Sequence, residues 1–179
     1  KKKKFFFNNF CEEMNFLDIG AAEGLDARWD LLKEKINFFF VEPHPESSKD
    51  LLIEKKNIIT KVFDEKPGLT KNFFLTNKPT CSSFLKPNIN YLDKFGDVNR
   101  YHTKEILKFE TTTVDKEFEN LSLDFVKIDT QGSELNILKG SNKSLEEILG
   151  LEIECEFFKI YENQPLYEDI KSYLENYDL

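Results

Sequence analysis

Cysteine is scarce and scattered: Cys11, Cys81 and Cys155 are the only three in 179 residues, and no C-x-x-C pair occurs. That spacing excludes a zinc knuckle or a disulfide framework, so no metal site is expected and free thiols in a reducing cytoplasm are. Long apolar runs are also missing. No stretch approaches the roughly 18 apolar residues of a membrane span, so none is expected. The start, Lys1 to Asn9, has a short apolar run (Phe5, Phe6, Phe7) ended by two asparagines, without the core or cleavage site of a secretory signal. Residues 1–14 are therefore expected to be a solvated, partly helical lead-in. Positive charge is outweighed, 25 Lys and Arg against 33 Asp and Glu, for a net charge of −8 and a pI near 5.0. Such a surface repels a phosphate backbone, and nucleic acid is not an expected partner.

What is present is an ordinary globular balance, 40% hydrophobic and 32% charged residues, in a length that suits one α/β domain spanning residues 1–179. Strand and helix patterns alternate along it. Phe16 to Gly20 reads as a buried strand, and Leu25, Trp29 and Leu32 then recur at helical spacing. Ile36 to Glu42 is a nearly continuous apolar run of the kind that suits a parallel strand covered on both faces, ended by Pro43 and Pro45. A helix is expected from Pro45 to Lys55, a third strand over Asn57 to Phe63, and a short one over Asn72 to Thr76. Residues 77–108 form an irregular insert, expected to cap the acceptor site and to carry small helices of its own. Phe109 to Val114 favours extended structure. Leu123 to Asp129 is the next clear strand, followed by a helix with Leu135, Ile137 and Leu138 that Gly140 ends, and by helical Leu145 to Leu149. A strand from Leu149 to Phe158 and an amphipathic helix from Leu166 to Tyr177 complete the series. The pattern predicts a Rossmann-like, doubly wound, mostly parallel sheet with helices on both faces.

The strand-to-helix turn Asp18-Ile19-Gly20-Ala21-Ala22-Glu23-Gly24 lets a ligand approach bare backbone, with amides directed at a negative group. A dinucleotide site would read G-x-G-x-x-G, and here Ala22 fills the middle position, which weakens that reading. Glu42 closes the second strand, where a carboxylate accepts hydrogen bonds from a ribose diol. The plain alternative is a pair of turn glycines and a solvated strand end. Their placement at matching ends of adjacent strands favours a nucleoside with an anionic tail, its carboxylate meeting the amides of Gly20 to Gly24.

Four segments in order carry a family resemblance: Asp18 to Gly24, Val41-Glu42-Pro43-His44-Pro45, Cys81-Ser82-Ser83, and Ile128-Asp129-Thr130-Gln131-Gly132-Ser133-Glu134-Leu135. Together they resemble the FkbM-type methyltransferases, from about Asn15 to the end of the chain. The resemblance implies a class I methyltransferase fold, S-adenosylmethionine as methyl donor, and hydroxyl acceptors on sugars, polyketides and similar molecules. It implies that Asp18, Gly20, Ala22 and Gly24 line the methionine end, that Glu42, with Pro43 beside it, takes the ribose, and that Asp64 meets the adenine amine. It also sets Cys81-Ser82-Ser83 near the acceptor pocket. Two features depart from the family. Gln131 stands where many members carry Glu, and a Gln cannot act as a base. No final antiparallel strand pair is legible after the last helix, which predicts either a fragment or an unpaired sheet edge.

For catalysis the candidates are Asp129, at the end of the fourth strand, and Glu154 and Glu156 on the fifth. There Leu151, Ile153, Cys155 and Phe157 alternate with Glu152, Glu154 and Glu156. A face of carboxylates on a covered strand breaks the local rule, as functional sites do; a water-exposed face is the bland alternative. No Asn-Pro-Pro-Tyr or Asp-Pro-Pro-Tyr follows, so oxygen is favoured over a planar nitrogen as acceptor. Glu134 reads as a first-turn carboxylate matched to the helix dipole. His44 is placed against the adenine edge, and His102 is read as a solvated loop histidine. The function expected is S-adenosylmethionine-dependent O-methylation of a small-molecule or glycan acceptor. The rivals are a dinucleotide-dependent oxidoreductase and a non-catalytic cofactor-binding remnant.

Overall fold

Apolar strands that alternate with polar turns and helices must bury both faces, and the chain does so around a parallel sheet. The computed structural model describes residues 14–22, 24, 26–29, 32–44 and 57–177. Strands β1 (Met14–Ile19), β2 (Ile36–Val41), β3 (Asn57–Ile59), β4 (Val62–Phe63), β5 (Thr70–Thr76), β6 (Thr103–Thr112), β7 (Phe125–Ile128) and β8 (Gly150–Ile153) are joined by five short α-helices among these residues. The helices are α1 (Ile89–Leu92), α2 (Val114–Glu117), α3 (Glu134–Lys139), α4 (Asn142–Leu145) and α5 (Tyr167–Leu174). Five strands form one sheet in the order β3-β2-β1-β7-β8, every pair parallel. The order reverses between β1 and β7, so the crevice at their carboxyl ends is the natural ligand position.

Alternation along β1 sends Leu17 and Ile19 into one apolar cluster, with Val126, Ile128, Ile137, Leu138 and Ile170. Phe16 goes to the other face, with Ile36, Phe38 and Phe40 and with Trp29 and Leu32 packed on them. Each such side chain contributes about 1.5–3 kcal/mol on burial, so a one-residue slip of β1 would exchange the faces at large cost. α5 behaves as its periodicity predicts, with Ile170 buried and Tyr173 and Leu174 packed on the core.

Several expectations are corrected. Met14, placed with the lead-in, opens β1, while residues 1–13 and the helix expected over 45–55 lie outside the described residues. The helical pattern after Gly24 yields a single 3-10 turn, Ala27–Trp29, within its described part. Asn57 to Phe63 is not one strand. It breaks at Thr60 and Lys61, and Val62–Phe63 joins a second, three-stranded sheet, β4-β6-β5. The insert is shorter than expected, because Thr103 to Thr112 is a long strand antiparallel to β5. Residues 77–102 carry the small helices and have a core of their own, Cys81, Leu92 and Tyr101 around the fully buried Tyr161. Gly140 ends α3 without a left-handed cap; a Cβ there would stand 2.2 Å from the Asp64 carbonyl oxygen, so close approach is the reason for glycine. The fifth strand stops at Ile153, leaving Glu154, Glu156 and the exposed Phe157 beyond it. Among the described residues no strand follows β8.

Candidate functional site

The carboxyl ends of β1, β2 and β7 open into a cavity of about 620 Å³, within the range of small-molecule sites. Its floor is set by Gly20. This residue has φ +90°, and a Cβ there would fall 1.7 Å from the Asp129 carbonyl oxygen. Only hydrogen fits, and the loops after β1 and β7 are thereby held against each other, with Asp129 N donating to Ile19 O at 2.9 Å. Three amides of the turn are already engaged within the protein. Gly20 N and Ala21 N donate to Val41 O at 3.0 and 3.2 Å, and Gly24 N donates to Ala21 O at 2.9 Å. Glu23 lies outside the described residues.

Charge is supplied by side chains instead. Lys127 Nζ lies 3.0 Å from Asp18 Oδ1 and 3.7 Å from Asp129 Oδ2, and Arg28 Nη2 lies 2.5 Å from Glu152 Oε1. All five residues line the cavity. Burial pushes the Asp18 carboxyl above its ordinary range despite Lys127. Burial draws Lys127 down, but Asp18 and then Asp129 outweigh it, and its ammonium is held above the usual value. Sequence reading missed Lys127, although a lysine inside the apolar run of a covered parallel strand is itself a signal.

At the end of β2, Glu42 is buried, accepts a hydrogen bond from His44 N at 2.8 Å, and has its carboxyl pushed up by burial. It lines the cavity together with Pro43 and His44. An apolar wall from the second sheet and the turn after it stands beside them, with Phe73 and Phe84 4.8 Å apart between ring centroids. Asp64 is not brought in. Its carboxylate pairs with Lys71 and accepts from Glu65 N, and it is absent from the cavity lining.

The loop after β7 carries the other chemistry. Asp129 and Glu154 both line the cavity; Glu156 does not. Glu154 is exposed as a residue, but partial burial of its carboxyl, followed by the hydrogen bond and negative charge of Asp129, raises its pKa to about 8. Gln131 sits between them at φ +60°, its Nε2 donating to Glu154 Oε2 at 2.7 Å and Asp129 Oδ1 at 3.4 Å. Glu134 opens α3 as the first-turn carboxylate expected of it, and it also serves the loop before the helix. It is buried, and its Oε1 accepts from Thr130 N, Thr130 Oγ1 and Gly132 N at 3.0, 3.1 and 3.0 Å, bracing the loop from beneath.

Of the Cys81-Ser82-Ser83 turn, Ser82 lines the cavity, and Ser83 Oγ donates to Gln131 O at 2.6 Å. Cys81 is buried and offers its carbonyl to Tyr161. His102 is exposed and outside the lining. Among the described residues no group of His, Cys, Asp or Glu is arranged to hold a metal ion, and no helix is long and apolar enough to cross a membrane.

The family model of the methyltransferase FkbM domain matches residues 18–178. Neither the curated proteins nor the solved structures yield a match. The match covers the cavity and nearly the whole chain, which therefore belongs to the FkbM methyltransferase domain family.

Proposed function

We propose that the protein transfers a methyl group from S-adenosylmethionine to a hydroxyl oxygen of a sugar, glycan or secondary metabolite. The observation that carries this reading is one cavity with three chemically distinct regions. Glu42 suits a ribose diol, with Phe73, Phe84 and His44 as a wall for a flat base. The alternating charges of Asp18, Lys127 and Arg28 suit a methionine tail that carries both an ammonium and a carboxylate. Asp129 and Glu154 remain for the acceptor. The amides of Gly20, Ala21 and Gly24 are engaged within the protein, so those three do not serve a pyrophosphate. The net charge of −8 favours a neutral acceptor over a polyanion.

Bound S-adenosylmethionine supplies an electrophilic methyl on a sulfonium, whose leaving group departs neutral. The chain's own part is to orient the acceptor for in-line attack and to exclude alternatives. The Asp129–Glu154 pair would take up the proton of the acceptor hydroxyl as that oxygen is methylated. Such a base works best when its pKa lies near the operating pH, as the raised Glu154 does.

Calorimetric titration with S-adenosylhomocysteine tests the donor half. Saturable binding is expected, and Glu42→Gln should weaken it about 10- to 100-fold, because charge-assisted hydrogen bonds contribute about 1.5–3 kcal/mol each. Equal affinity in the variant would remove Glu42 from the site.

A further inference from the structure

Gln131 occupies a conformation that side chains other than Asn and Asp rarely adopt, with φ +60°. Strain of this kind persists where the surroundings hold it. Three attachments do so here. The backbone carbonyl accepts from Ser83 Oγ at 2.6 Å, the side-chain nitrogen donates to Glu154 and Asp129 at 2.7 and 3.4 Å, and the side-chain oxygen lies 3.2 Å from the Tyr161 hydroxyl. Tyr161 is fully buried, and the single proton of its hydroxyl is shared between Gln131 Oε1 at 3.2 Å and Cys81 O at 2.9 Å. The amide is thus fixed from beneath by a residue that cannot move without opening the core of residues 77–102.

We infer that Gln131 is a positioning residue, whose amide clips Asp129 and Glu154 together in the cavity wall and anchors the pair to Tyr161. A Glu at this position would place a third carboxylate against the two and could not donate to either. The amide donates to both and adds no charge, so two acids can stand side by side. This inference rests on the cavity being the methyl-transfer site. It makes Gln131 part of the working site in this chain, not a lost base.

The clip can be read without substrate, by carbon-13 NMR titration of the Glu154 side chain in the full chain. The groups that bear on Glu154 are Asp129, Glu156, Glu134 and Cys155, with Tyr161 beneath and Lys127 3.7 Å from Asp129. Gln131→Asn keeps the amide and relaxes the backbone, since Asn tolerates positive φ, but its shorter side chain cannot span to Glu154. Losing one donor would raise the midpoint slightly. Releasing an exposed carboxyl from the wall and from Asp129 removes the larger effects, so release wins. The wild-type midpoint is expected near 8, falling by about one unit or more in Gln131→Asn, with melting temperature retained. Tyr161→Phe should lower it less, in the same direction, and decides the matter if the Asn variant does not fold. A variant midpoint that rises or stays within about 0.3 unit of wild type would overturn the clip. Failure of S-adenosylhomocysteine to bind would instead overturn the donor reading and leave these midpoints unchanged.

Discussion

Asp129→Asn should lower methyl transfer about 100-fold or more at neutral pH, the range lost with a positioned base, while S-adenosylhomocysteine affinity stays within about threefold. The substitution keeps the shape of the side chain and removes its charge. Two consequences follow from that charge. The hydroxyl proton loses half of the pair that receives it. Glu154 also loses the neighbour that, after burial, does most to hold its pKa near 8. The sign of the pH dependence is fixed by the same fact. A base works when deprotonated, so the wild-type rate should rise with pH and level off above about 8. In Asp129→Asn the like charge is gone, Glu154 ionises more readily, and the midpoint of the profile should move to lower pH. Release of S-adenosylhomocysteine as a function of pH measures both. An unchanged rate with an unchanged midpoint would remove the pair from the reaction. A lower rate with an unmoved midpoint would leave Asp129 a role in positioning only.

Gly20→Ala is the substitution expected to damage the fold most directly. The new Cβ would meet a backbone oxygen, Asp129 O, at 1.7 Å, and a main-chain atom between two paired strands cannot swing aside as a side chain can. The residue also has φ +90°, unfavourable for any L side chain. Left-handed strain costs about 1–2 kcal/mol and overpacking about 1–3 kcal/mol, for a combined loss of roughly 2–5 kcal/mol. In a domain of this size that corresponds to a melting temperature lower by about 5–15 °C. Gly68→Ala separates the two contributions. Gly68 has φ +76°, but a Cβ there meets nothing within 4 Å, so only the backbone cost applies. Thermal melting of the two variants should rank Gly20→Ala well below Gly68→Ala. Equal melting temperatures would show that the loops after β1 and β7 are not held in contact.

The parts of this site that were legible in the sequence are those written in adjacent residues. β1 and β2 are largely apolar because both faces of a parallel sheet are covered, and Gly20 and Glu42 mark their ends. Features decided by a distant partner were not legible. The alternation of Leu151 to Phe157 reads as strand throughout, but β8 can pair only as far as β7 extends. β7 ends at Ile128, which accepts the last of these bonds from Glu154 N at 3.0 Å. Glu156 is therefore carried away from the cavity and Glu154 is left at its wall. Asp64 was misplaced for a related reason. The break at Thr60 and Lys61 moves Val62 and Phe63 to the second sheet, and Asp64 follows them to Lys71. Tyr161, the buried anchor of Gln131, is separated from it by 30 residues and shows no pattern that a window along the chain could detect.

On the proposed function, the cavity at the ends of β1, β2 and β7 takes a nucleoside with a zwitterionic tail and not a dinucleotide. Side-by-side calorimetric titration of the full chain with S-adenosylhomocysteine and with NAD tests it most directly. Saturable binding of S-adenosylhomocysteine at one site per chain, with no measurable binding of NAD, is the result expected; binding of NAD alone would contradict it.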